Sequence, residues 1–169
     1  MLSARSSAPF RGWGNSFEEL RRAHRFMRAR GDFAVSYPLT SISELNSETV
    51  ALLKRAGIRS TGSLLESTRT LAQRKKLAAE TGLDPRKLLC WANLADRMRV
   101  KGVSKEYAEL LAAAGVDTVK DLKVRNPANL AKRMADANRA RKLVRLLPSE
   151  RMVARWIESA KELPLKIRY

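Results

Sequence analysis

The chain has a single cysteine, Cys90, and a single histidine, His24, among its 169 residues. One thiol excludes an intramolecular disulfide, and His24, with no cysteine or second histidine to share a metal, is a helix-surface residue rather than a zinc ligand. Cys90 stands between Leu89 and Trp91, with Leu88 close by, so a buried thiol in a reducing compartment is expected. Acidic residues are also scarce, seventeen against thirty-four Lys and Arg. Asp96, Glu106, Glu109, Asp117 and Asp121 are scattered among caps and solvent faces, so no carboxylate cluster offers to hold divalent ions. With no nucleophile beside a base either, no catalytic residue is assigned, no cofactor or metal is expected, and the chain reads as a non-enzyme. Nor is there an apolar run near the ~20 residues that a bilayer-crossing helix needs.

Aromatic residues are few, at 6%, and β-branched residues give way to Ala, Leu, Arg and Lys, which predicts an all-α fold. Hydrophobic residues make up 44% of the chain, enough to build a core. The formal charge of +17 favours polyanionic partners: nucleic acid first, then anionic membrane, then acidic protein surfaces. The plainer alternative is that many of these cations solvate helix faces.

Residues 1–17 contain Arg5, Arg11 and several serines but no acidic residue, the composition of a mitochondrial targeting segment. The absence of an apolar stretch after the basic residues excludes a secretory signal, and an ordinary basic tail is the alternative. Beyond it Phe17, Leu20, His24 and Met27 form a helical stripe, while Arg21, Arg22, Arg25 and Arg28 project elsewhere around the same turns. Trp13, in a basic stretch with Phe10, Arg11, Gly12 and Gly14, is free to insert into a partner's pocket or against a base. Arg5, Phe10, Arg11, Trp13, Arg21, Arg22, Arg25 and Arg28 are therefore the expected docking set, in a subunit of a larger assembly on the matrix side of a mitochondrion. The alternative location is the cytoplasm of a bacterium.

An internal duplication follows. Laying Gly57 on Gly115, an offset of 58, aligns residues 45–58 (LNSETVALLKRAGI) with residues 103–116 (VSKEYAELLAAAGV), and both copies continue to Leu64 and Leu122. Val103, Tyr107, Leu110, Leu111 and Ala114 mark one helix face, and Gly115 falls where a helix is stopped by a left-handed residue. Ser60 or Thr61, and Asp117 or Thr118, are positioned to cap the next short helix. Asp84-Pro85, Asn126-Pro127 and Pro148-Ser149-Glu150 each open a further helix. Setting Trp91 on Trp156 raises the offset to 65, so the second copy has gained about two helical turns. The expected organisation is an extension over 1–36, a first unit over 37–97 and a second over 98–169. Val50, Leu53, Leu89, Trp91, Leu110, Leu111, Leu143 and Trp156 are expected in one shared core.

Residues 100–119 (VKGVSKEYAELLAAAGVDTV) resemble a helix-hairpin-helix motif. Residues 39–163 as a whole look like a bacterial and organellar family of unknown function that carries paired motifs of this kind and is sometimes likened to flap endonucleases. In helix-hairpin-helix proteins a Gly-hydrophobic-Gly turn presents backbone N–H groups to a phosphate. Gly102-Val103-Ser104 keeps the first glycine only, yet Ser104 caps the helix and Lys101 and Lys105 supply charge. The first unit has Glu44-Leu45-Asn46 instead, whose carboxylate repels an anion, so it reads as a packing module.

The densest cationic stretch lies between Leu122 and Pro148: Lys123, Arg125, Lys132, Arg133, Arg139, Arg141, Lys142 and Arg145, opposed only by Asp136. There Ala140, Leu143, Val144 and Leu147 predict a helix that turns Arg141, Lys142 and Arg145 outward. The expected nucleic-acid contacts are Lys101, Gly102, Ser104, Lys105, Arg139, Arg141, Lys142 and Arg145, made to RNA or DNA phosphate without base readout. A second reading makes the chain an accessory structural subunit of an organellar energy-transducing membrane complex, meeting protein and anionic lipid.

Overall fold

Polar side chains set where the helices begin. In the computed structural model, which describes residues 36–169, eight α-helices and no strand are found among the described residues. They are α1 (Ser47–Arg55), α2 (Thr61–Ser67), α3 (Leu71–Thr81), α4 (Pro85–Arg97), α5 (Lys105–Ala113), α6 (Val119–Lys123), α7 (Pro127–Arg141) and α8 (Glu150–Glu162). The expected docking residues Arg5, Phe10, Arg11, Trp13, Arg21, Arg22, Arg25 and Arg28 lie outside the described residues.

The duplication is written in the caps. Asn46, Ser60, Thr70 and Asp84 accept first-turn N–H groups of α1 to α4, and Ser104, Thr118, Asn126 and Ser149 do the same for α5 to α8. A cap of this kind contributes roughly 0.5–2 kcal/mol. Gly57 and Gly115 both adopt φ +82°, and the following Ile58 and Val116 N–H groups reach back to Leu53 and Leu111 at 2.9 Å. Each first helix of a pair is thereby closed by the same left-handed turn.

The extra length of the second half differs from the sequence expectation. α7 has fifteen residues against eleven in α3, one added turn rather than two, and the rest of the insertion is the longer connection over residues 142–149. The predicted helix through Ala140, Leu143, Val144 and Leu147 is absent. α7 ends at Arg141, and Lys142 takes the left-handed conformation at φ +50°. The cause is Asn138, whose side chain donates to the Val144 carbonyl and accepts from the Val144 N–H, both at 2.9 Å, so the chain folds back over the helix end. Leu143 is consequently half-buried, and Leu147 is 50% exposed.

α4 is the spine. It packs against α2 and α3 of the first half and against α5 and α6 of the second. Val50, Leu53, Trp91, Leu110, Leu111 and Trp156 are buried in one cluster, as expected, while Leu89 is only half-buried. Cys90 is exposed, against expectation. On α4 the buried apolar positions are Leu88, Trp91, Ala92, Leu94 and Ala95, and Cys90 falls one turn after the exposed Arg86 and Lys87, on their side of the helix. Three buried charged side chains, Asp96, Arg97 and Arg99, stand at and just after the end of α4; Asp96 pairs with Arg99, whose Nη atoms also share the Pro164 carbonyl at 3.3 Å.

Candidate phosphate-contacting surface

Residues 101–105 form the turn into α5. Gly102 has φ +85°, a conformation that L side chains rarely adopt. The Val103 N–H donates to the Val100 carbonyl at 3.0 Å, and the Lys101 N–H donates to Ser159 Oγ at 3.1 Å, which pins the turn to α8. Ser104 caps α5 through the Tyr107 N–H. Its hydroxyl also donates to Glu106 at 2.8 Å, and that bond holds the Glu106 carboxyl below the usual carboxylate range. Glu106 therefore stays ionised beside Lys105 and partly offsets the positive charge of the turn.

Glu44-Leu45-Asn46 and Gly102-Val103-Ser104 differ at all three positions, and the first of them changes the charge. Glu44, at the position equivalent to Gly102, accepts a hydrogen bond from the Trp91 indole N–H at 3.1 Å. Glu44 itself stays exposed, so this turn carries a carboxylate at its surface. In the second half glycine removes that side chain, and a Cβ at Gly102 would lie 3.3 Å from Trp156 Nε1. The second turn is thus the one that brings a left-handed glycine and two lysines together.

Tyr107 joins this turn to the cationic connection after α7. Its ring packs on Trp156, centroids 5.0 Å apart and tilted by 51°, and its hydroxyl donates to the Leu146 carbonyl at 3.1 Å. These contacts link the helix that follows Lys101, Gly102, Ser104 and Lys105 to the connection that carries Lys142 and Arg145 and begins at Arg141, the last residue of α7. All of them are exposed except Lys105, which is half-buried. Arg139 is the exception in function, since it forms a 3.4 Å pair with Asp136 and is partly neutralised. The sequence reading placed Tyr107 only on an apolar face; its hydroxyl, on a helix's first turn, is the one signal that it reaches a neighbouring loop. The same loop exposes Leu146 (77%) and Leu147 beside its arginines.

Among the described residues no group of three or more His, Cys, Asp or Glu side chains is placed to hold a metal ion. No helix there is long and apolar enough to cross a membrane. No curated protein and no solved structure matches the chain. A family model does match residues 43–163, across both halves of the duplication, and the chain belongs to that family, described as Domain of unknown function (DUF4332).

Proposed function

We propose that this protein is a non-enzymatic, helix-hairpin-helix-like binding subunit that grips RNA or DNA by its phosphates. The observation that carries the reading is the link, through Tyr107, between the helix that follows the residues 101–105 turn and the Arg141, Lys142 and Arg145 connection. Five cations in these two linked segments, beside a helix N-terminus whose turn carries a left-handed glycine, suit a row of phosphates. Nothing in them selects a base, so contact is independent of sequence. The acid-poor N-terminal stretch supports a place within a larger assembly on the matrix side of a mitochondrion.

The test is the triple substitution Arg141→Gln, Lys142→Gln, Arg145→Gln. Affinity for a duplex is expected to fall, and the salt dependence of binding to flatten by roughly one unit of log–log slope per cation removed. The melting temperature should stay close to that of the parent, because all three side chains are exposed. Unchanged affinity and slope would sink the proposal for this surface.

A second reading has its own support. Leu146 and Leu147 are exposed within the same cationic loop, the pairing of apolar and basic side chains that suits an anionic lipid surface or an acidic subunit of an organellar energy-transducing complex. Vesicles containing anionic lipid, titrated beside the duplex, separate the two. Loss of vesicle binding on Leu146→Ser with duplex binding intact would favour the second.

A further inference from the structure

A cleft of about 480 Å³ opens at the other end of α7, lined by Val124, Arg125, Asn129, Leu130, Lys132 and Arg133 among others. Its charge is of one sign. Among the described residues no ion pair engages Arg125, Lys132 or Arg133, while Asp121 is held in the Thr118 cap and Asp136 pairs with Arg139. Arg125 and Arg133 converge on one backbone residue. Arg125 Nη2 donates to the Gly115 carbonyl at 2.7 Å, and Arg133 Nη2 lies 2.7 Å from where a Gly115 Cβ would stand. A Cβ at Gly115 would displace the Arg133 guanidinium, whereas Arg125 is held by the Gly115 carbonyl. The Arg125 Nε–H is buried and has no hydrogen-bond partner.

Two guanidiniums meeting at one glycine with a lysine beside them, and no carboxylate among the described residues paired with any of the three, form an arrangement that an anion completes. The N-terminus of the fifteen-residue α7 adds its partial positive charge to the same cleft. Val124, 82% exposed at the rim, gives an apolar surface next to the charges. We infer that this cleft seats the phosphate of an organic phosphate, with Arg125 and Arg133 on its oxygens and the apolar body of the ligand against Val124. The inference rests on the phosphate-gripping reading above and gives it a second contact, distinct from the first. Along α7 the two ends are separated by about 22 Å, from fifteen residues at 1.5 Å each. At about 3.4 Å per nucleotide of a duplex strand, one strand of six or seven nucleotides would span them.

The test uses the full chain and two probes. Adenosine 5′-monophosphate is titrated while the arginine Nε–Hε resonances are followed by NMR, and a duplex of about 20 base pairs is titrated at several salt concentrations. Lys132→Gln with Arg133→Gln is the variant, both side chains being exposed, and its melting temperature checks the fold. The expected result is a saturable shift of the Arg125 Nε–Hε signal by the monophosphate, lost in the variant, with the duplex salt slope reduced by about two units. If the variant binds both probes as the parent does, while the Arg141, Lys142 and Arg145 substitutions weaken the duplex, the cleft inference is overturned and the function stands. If the monophosphate binds and the duplex does not, the function falls and the cleft holds a free organic phosphate. Binding of neither probe removes both.

Discussion

Trp156→Ala is expected to destabilise the fold by about 3–5 kcal/mol, the range for truncating a large buried aromatic. Trp156 is 1% exposed on α8, and three structures lean on it. The Tyr107 ring packs against its face, the Gly102 turn lies over its indole nitrogen, and α8 itself packs on α6 and α7. Removing the ring opens a cavity beneath the turn, which collapse cannot fill without moving a glycine held at φ +85°. The connection after α7 should loosen with it, because Tyr107 loses the ring that positions its hydroxyl against Leu146. Urea denaturation measures the cost, and a loss below about 1 kcal/mol would mean that Trp156 is not a core anchor.

Asp96→Ala should cost a similar amount, roughly 3–5 kcal/mol, for a different reason. The Asp96 and Arg99 side chains are 5% and 3% exposed, so their charges face each other with little water. Burial pushes the Asp96 carboxyl above its usual range, against the pull of Arg99 and Arg97. Removing the carboxylate leaves the Arg99 guanidinium buried with only the Pro164 carbonyl as acceptor and with its Nε–H already unmet. The double variant Asp96→Ala, Arg99→Met is expected to recover much of the loss, since no unpaired charge is then buried. Double-mutant unfolding would contradict this if the second substitution added a full further penalty.

Helix starts were legible because a cap is a local event. Asp84-Pro85, Asn126-Pro127 and Ser149-Glu150 open α4, α7 and α8 at the expected residues, and Gly57 and Gly115 close α1 and α5. The duplicated spacing likewise revealed which faces meet, since Leu53 and Leu111 occupy equivalent buried positions. What failed depended on contacts distant in three dimensions or on a single competing side chain. The period of Ala140, Leu143, Val144 and Leu147 argued for a helix, but the Asn138 amide offered Val144 two hydrogen bonds and ended α7 early. Apolar neighbours in sequence suggested a buried Cys90, although rotation around α4 sets it on the solvent side. The joining of two cationic patches by Tyr107 depends on a bond between residues 39 apart, which no local pattern encodes. Arg125 and Arg133 were visible only as members of a charged run; their meeting over Gly115 is a product of α5 packing on α7.

The most direct measurement of the proposed function is the affinity of the full chain for a duplex DNA and a structured RNA, taken across a range of salt concentrations. Lys101, Lys105, Arg141, Lys142 and Arg145 should together give a line of log affinity against log salt with a slope of about −4 to −5 on the duplex, steeper if the Arg125 cleft also contributes. Affinity should be nearly equal for unrelated base sequences of the same length. A slope near zero, or no measurable binding to either nucleic acid at low salt, would contradict phosphate gripping and leave these cations as solvated helix and loop residues.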